Sequence, residues 1–366
     1  LNRFCFVIHP TSLDDVARYE PGAVGKGEPI IRKILEWMPP YVAAHITGVQ
    51  APDGREIEGW FVSAPLLPEQ MLTLPREEVF ARIGRAIELG VERGAQIAGL
   101  GAFSGIVGDG GVTIASRSPI PVTTGNTLTI ATGVESLFRG AAAMDIVPKQ
   151  ATAVVLGATG SIGAACLTLI AERVGRVIMV APNATRLAAF HERVAPQLPV
   201  PSSWTTDVAA AVAQGDLILT AAASTRTLIE PEDLRSGAVV CELSLPHTIA
   251  PRVVEQRPDV LVIEGGTLRM PGRPRWERVR EPGREFRLGI SPGTALACMS
   301  ETMVLALEGR FESYTLGRGI ARERVVEMWQ MAQRCGFTLA DMRCFDRSIG
   351  EDQVKAIRRA AALGAL

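Results

Sequence analysis

Short apolar runs recur through the middle of the chain at the spacing of strand followed by helix. "TAVVLGA" (152–158), "RVIMVAP" (176–182), "DLILTAAAS" (216–224), "AVVCELS" (238–244) and "DVLVIEGG" (259–266) are apolar almost throughout and mostly rich in β-branched residues. That pattern marks strands buried on both faces. "SIGAACLTLIAERVG" and "TRLAAFHERVA" lie between them as helices. The alternation predicts an α/β fold with a Rossmann-like, doubly wound parallel sheet over residues 126–290. Residues 1–125 mix strand and helix, an N-terminal α+β domain expected to hold substrate. Within it "AHITGVQAPDGREIEGWFVSAP" (44–65) reads as two strands about a "PDG" turn. "PREEVFARIGRAIELGVERG" (75–94) reads as a helix, with Pro75 in its first turn and Gly94 as its stop. Residues 291–366 predict a C-terminal helical segment. In "SPGTALACMSETMVLALEG" (291–309), Ser291 is the expected N-cap, Pro292 the first helical position and Gly309 the stop. The tail "EDQVKAIRRAAALGAL" (351–366) reads as a helix packed on the core, with peripheral membrane contact as the lesser option.

Composition narrows this picture. The chain has 366 residues, 47% hydrophobic and 21% charged, enough for two or three domains with real cores. A net charge of −1 and 5% aromatic residues argue against a nucleic-acid partner. The six cysteines (5, 166, 241, 298, 335, 344) and four histidines (9, 45, 191, 247) show no metal-ligand spacing, so no metal is expected. Scattered thiols fit a reducing cytoplasmic setting. The opening "LNRFCFVIHPTSL" does not read as a signal peptide, and no apolar run reaches membrane-spanning length.

"VVLGATGSIG" (154–163) sets Gly157, Gly160 and Gly163 as G-x-x-G-x-x-G between a strand and a helix. That context suits a pyrophosphate: a tight turn, close backbone approach, and amides at a helix N-terminus. Gly157, Ala158, Thr159, Gly160, Ser161, Ile162 and Gly163 are the expected cradle. No acid follows between Glu172 and Glu192 to hold a ribose 2′-hydroxyl. Asn183, Thr185 and Arg186 stand there instead, and Arg186 suits a 2′-phosphate, which favours NADPH over NADH. Cys298, in "GTALACMSET" (293–302), reads by itself as a small apolar residue in a helix interface.

Separated stretches then resemble one family. "HPTSL" (9–13), "LLPEQML" (66–72), "GLGAFSGI" (99–106), "TTGNT" (123–127), "GATGSIG" (157–163) and "ACMSETMVLALEG" (297–309), with "GR" at 317–318, keep its order and rough spacing. The family is the long-chain fatty acyl-acyl carrier protein reductases of cyanobacterial aldehyde and alkane synthesis. The resemblance implies NADPH-dependent reduction of an acyl thioester to a fatty aldehyde. It makes the cysteine of the A-C-x-x-E helix, Cys298 here, the nucleophile that carries the acyl group. The donor would be acyl carrier protein or acyl-CoA. Where the family tends to carry Arg after the second strand, this chain has Pro182, which leaves the 2′-phosphate to Asn183, Thr185 or Arg186.

Several roles follow. The helix N-terminus is expected to lower the Cys298 thiol pKa, and Glu301 to orient the helix rather than act as base. Thr124 and Asn126 are candidate hydrogen-bonding residues near nicotinamide or substrate. His9 and His247 are candidates for a base, each with a structural role as the alternative. Seven arginines between 269 and 287 offer a docking face for an acidic carrier or a solvated loop. A homo-oligomer is possible for this fold. The competing functions are an NADP-dependent dehydrogenase of a small alcohol, hydroxy acid or amino acid without covalent catalysis, and a non-catalytic NADP-binding regulator.

Overall fold

Strand β1 (Asn2–Ile8) is buried on both faces and organises the first sheet. Gly59 and Gly99 of its neighbours leave room for the Phe4 and Phe6 rings, which a Cβ at either glycine would meet within 2.4 Å. Cys5 and Val7 face the other way, toward Val79, Phe80, Ile83 and Ile87 of the Arg76–Val91 helix. The computed structural model describes residues 1–19, 21–224, 226–244, 247–345 and 347–364.

The described chain divides into two units. The first comprises Leu1–Leu128, Leu268–Gly319 and Glu327–Thr338. Its six-stranded sheet holds β1, β2 (Tyr41–Gln50), β3 (Glu56–Ser63), β4 (Ile97–Leu100), β5 (Val122–Thr123) and a late strand, Gly272–Arg278. The order is late strand–β2–β3–β1–β4–β5. β3, β1, β4 and β5 run parallel, and β2 pairs antiparallel with β3 and with the late strand. The helix Ala297–Leu307 packs on β1 and β4 and is buried along most of its length.

The second unit comprises Thr129–Thr267, Ile320–Val326 and the chain from Leu339 onward. Its strands are β6 (Thr152–Leu156), β7 (Arg176–Val180), β8 (Ser202–Thr205), β9 (Leu217–Thr220), β10 (Val239–Glu242) and β11 (Leu261–Glu264). All are parallel, in the order β8–β7–β6–β9–β10–β11. That is the 3-2-1-4-5-6 order of a Rossmann sheet, with its switch point between β6 and β9.

The expected boundaries shift. The first moves from 125/126 to 128/129, and the second gives way to a return of the chain at 267/268. The reason lies in the late strand: Trp276 pairs opposite Ile46 and Glu277 opposite His45, which draws the chain after Thr267 back to the first sheet. Residues 291–366 therefore form no separate helical segment. Among the described residues three helices lie there, Ala297–Leu307, Arg322–Arg334 and Glu351–Gly364, divided between the two units and accompanied by short strands. The tail helix is half-buried at Val354 and Ile357, and its last two sequence positions lie outside the described residues. No helix among the described residues is long and apolar enough to cross a membrane.

Candidate active site

Cys298 is the second residue of the Ala297–Leu307 helix. The expected start at Pro292 is too early. Thr294 turns back on the Ser291 carbonyl through its N–H (3.1 Å) and hydroxyl (2.6 Å), and an extended stretch, Thr294–Leu296, precedes the first helical turn. The later start brings Cys298 to the helix mouth. The stop at Gly309 holds: it takes φ 67°, and Arg310 N–H reaches the Leu305 carbonyl at 2.9 Å.

Two motifs far apart in sequence interlock around this thiol. Gly125 adopts φ +76°, and a Cβ there would lie 2.3 Å from the Cys298 Cα. One turn on, the fully buried Glu301 carboxylate gathers the same segment. It accepts from the Thr123 hydroxyl (2.5 Å), the Thr127 hydroxyl, the Leu128 N–H (3.0 Å) and the Thr315 hydroxyl (2.8 Å). With its oxygens so engaged, Glu301 orients the helix and is not a free base. Thr124 is also committed, its N–H and hydroxyl both donating to the Thr315 carbonyl at 3.0 and 3.1 Å. Asn126 opens the next helix and is half-buried.

Three backbone amides bear on the thiol electrostatically. The N–H groups of Met299, Cys298 itself and Ala102 each favour the thiolate, the direction expected at a helix N-terminus. Burial outweighs them, and the Glu301 charge adds to it, so the thiol is pushed up to about 12. The expected lowering is thus corrected: desolvation dominates. Of the six cysteines, the other five are buried, whereas Cys298 keeps partial exposure as a residue although the protein packed around its thiol still desolvates it.

Ala102 was missing from the sequence-derived candidates. It holds φ +45°, in the region that residues with a Cβ rarely occupy. Nothing in "GLGAFSG" marks the alanine rather than a glycine for that conformation. His9 is not arranged as a base. Phe103 N–H donates to its Nε2 at 3.0 Å, which leaves Nδ1 to donate to the Pro10 carbonyl at 2.9 Å. Burial holds its pKa below the ordinary 6.5. His247 belongs to the second unit, 3.8 Å from Glu264.

In the second unit, the glycine loop joins β6 to the helix Ser161–Ala171. Gly157 has φ +81°, and a Cβ there would lie 2.4 Å from the Ala221 carbonyl at the end of β9. A Cβ at Gly163 would lie 2.2 Å from the Gly157 carbonyl, so the helix packs directly on the turn. Gly160 differs: its Cβ would meet nothing nearer than that carbonyl, at 3.2 Å. Ala158 is buried and its N–H donates to Val180, whereas Thr159, Ser161 and Ile162 are half-buried. Ala164 makes the first helical bond, to Gly160. The amides of Ser161 and Ile162 therefore stand at the helix mouth without intrahelical acceptors. This open cradle before a helix N-terminus fits a pyrophosphate.

Asn183 caps the following helix by accepting the Arg186 N–H at 2.8 Å. The Arg186 guanidinium reaches back to the Thr159 carbonyl at 3.0 Å, which holds a cation beside the loop. Thr185 is exposed in the same turn. A further carboxylate not foreseen from sequence, buried Glu242 at the end of β10, accepts the amides of Ser244, Thr248 and Ile249 and fixes the turn after that strand. Among the described residues no cluster of three or more metal-ligating side chains occurs.

No protein-family model matches the chain. It is 29% identical over 98% of its length to aminotransferase PigE of Serratia sp. (strain ATCC 39006), and spans 42% of that protein. It is 25% identical over 91% of its length to the long-chain acyl-(acyl-carrier-protein) reductase of Synechococcus elongatus, of which it covers 98%. Among solved structures, the probable ornithine cyclodeaminase of Bordetella pertussis matches 57% of this chain and 68% of its own, at 15% identity and a TM-score of 0.27.

Proposed function

We propose that this protein is an NADPH-dependent reductase of fatty acyl thioesters that forms the aldehyde through an acyl group on Cys298. The observation that carries the reading is the head of the Ala297–Leu307 helix. There the partly exposed cysteine is the second residue of the helix and is locked against Gly125, with three amides favouring its thiolate. The near full-length match to an acyl-(acyl-carrier-protein) reductase supports it.

In the first step Cys298 Sγ attacks the thioester carbonyl carbon and the carbonyl electrons move onto oxygen, where amide N–H groups receive the charge. On collapse the bond from carbon to the donor sulfur breaks, and the donor thiol leaves with the proton given up by Cys298. A thiol resting near 12 is protonated until donor arrives. NADPH, when bound, supplies the hydride that turns the acyl-enzyme into aldehyde and releases Sγ. Gly157 to Gly163 would hold its pyrophosphate, and Arg186 its 2′-phosphate. Acyl carrier protein or acyl-CoA is the donor in this reading. Arg273 and Arg275, exposed on the edge strand Gly272–Arg278, offer charge to its phosphates or acidic side chains, whereas Arg284 and Arg287 are paired with Glu281 and Glu285.

Intact mass after mixing with palmitoyl-CoA, without NADPH, tests the reading. The wild type gains an acyl mass that NADPH discharges as aldehyde, and Cys298→Ala gains none. Absence of an adduct on wild type that still binds NADPH would return the chain to direct dehydrogenases. Arg186→Ala is expected to weaken NADPH binding by about tenfold while sparing NADH, as loss of one charge-assisted contact implies. Equal loss for both cofactors would remove Arg186 from the 2′-phosphate.

A further inference from the structure

We propose that His9 is a positioning residue for acyl transfer: by accepting the Phe103 N–H, it fixes the turn that presents the Ala102 amide to the reacting oxygen beside Cys298. This rests on the acylation reading above and adds to it the group that builds the anion-binding corner.

Three observations converge in the first unit. Ala102 is one of three non-glycine residues with positive φ among the described residues. Such strain persists where surrounding contacts over-determine it. Those contacts are visible. Gly101 N–H bonds the Val7 carbonyl at 2.9 Å, and Ser104 closes the turn onto the Gly101 carbonyl through its N–H (3.1 Å) and hydroxyl (2.6 Å). Phe103 N–H is taken by His9 Nε2 at 3.0 Å, with the two rings edge to face at 6.3 Å. His9 follows directly on β1, and its own ring is fixed by the Pro10 carbonyl. The turn is thus tied to the strand on which the Cys298 helix packs.

The consequence is chemical. The amides of Cys298 and Ala102 act on the thiol from two different segments, and the turn that carries Ala102 packs through Gly105 against Thr124, next to the Gly125 that abuts Cys298. When Sγ bonds the carbonyl carbon, the oxygen of the adduct lies one bond beyond, within the reach of the same two donors. One donor is rigid because it belongs to a helix N-terminus. The other is held through His9 against a strained backbone. The imidazole feels the charge of Asp15 and the Leu66 backbone, and the Asp15 carboxylate is itself held by the Thr11 N–H at 3.0 Å and the Thr11 hydroxyl. Both ring nitrogens are used, so the proton of Cys298 goes to the departing donor thiol and not to His9.

The test compares two substitutions. His9→Gln keeps an acceptor at the position of Nε2, and His9→Asn keeps the donor toward Pro10 and loses the acceptor for Phe103. Rates of Cys298 acylation by palmitoyl-CoA are read by intact mass, with NADPH binding as a check on the second unit. The expected result is acylation within about threefold of wild type for His9→Gln, and at least tenfold slower for His9→Asn at unchanged half-saturation, in line with loss of one oxyanion donor. Equal large losses in both variants would make His9 the base, and no loss in either would make it a bystander. Nitrogen NMR of the wild-type imidazole guards against misfolded variants. A neutral ring with its proton on Nδ1 at pH 7 is expected, and a proton on Nε2 would overturn the assignment. Alkylation of Cys298 by iodoacetamide separates the two readings. If palmitoyl-CoA leaves no adduct on wild type, but alkylation is slower in His9→Asn than in His9→Gln, the His9 tie to the Ala102 turn beside the thiol stands, and the oxygen-binding role falls with the thioester reading.

Discussion

At Gly125 a single hydrogen in place of a side chain lets the "TTGNT" turn press against Cys298. Gly125→Ala places a Cβ 2.3 Å from the Cys298 Cα at φ +76°. Both effects point the same way, and the expected cost is about 1–3 kcal/mol. It is measured by urea unfolding, alongside slower acylation of Cys298. An unchanged midpoint and rate would show that the turn yields without moving the thiol. The pairing of "TTGNT" with A-C-x-x-E was visible in the sequence as a resemblance; its cause, Glu301 collecting four donors beside Gly125, was not. Side-chain hydrogen bonds between residues so far apart in the chain leave no local pattern. The same applies to Ala102, because positive φ at a residue with a Cβ has no spacing signature. The sign of the Cys298 shift also escaped sequence, since the helix N-terminus is readable from local residues whereas desolvation depends on all surrounding segments.

Among elements, the glycine loop separates folding from binding. Gly163→Ala drives a Cβ to 2.2 Å from the Gly157 carbonyl and is expected to cost about 1–3 kcal/mol of stability. Gly160→Ala meets only one atom, at 3.2 Å, so thermal stability is expected to hold while NADPH affinity falls by about tenfold or more. Calorimetric titration and melting of both variants check this; equal effects on both readouts would deny Gly160 its place in a cradle. The strands β6, β7, β9, β10 and β11 were legible because central parallel strands are apolar on both faces. β8 was missed: Ser202–Thr205 lies at the sheet edge, and its four residues carry no buried apolar alternation. The early start assigned to the Cys298 helix came from Ser291 and Pro292, good capping residues that here close a turn before a short extended stretch.

For the whole molecule, titration sets limits on stability from both sides. All six cysteines have raised pKa values through burial. A thiol raised in the folded state contributes stability below its unfolded value near 9 and loses it as pH climbs toward the folded value. His9 is lowered, so its contribution is present above 6.5 and fades as pH falls below. Melting temperature is therefore expected to decline above pH 9 and below pH 6.5, and His9→Gln is expected to flatten the acid limb. An acid limb unchanged in that variant would assign it to other groups. The two-unit division was partly readable, since the strand–helix alternation marks the second unit from sequence alone. The return of the chain to the first sheet was not, because the antiparallel pairing of Gly272–Arg278 with β2 joins segments far apart in the chain.

That return has a consequence for how the protein is made. A ribosome releases β1 to β5 long before residues 268–319, so the newborn first unit waits with one face of its sheet uncovered while Thr129–Thr267, the bulk of the glycine-loop unit, is synthesised. The helix bearing Cys298 is the piece that closes that face. A chain interrupted before residue 297 therefore lacks the packing of Gly125 against Cys298, and that corner forms only once this late helix has been made.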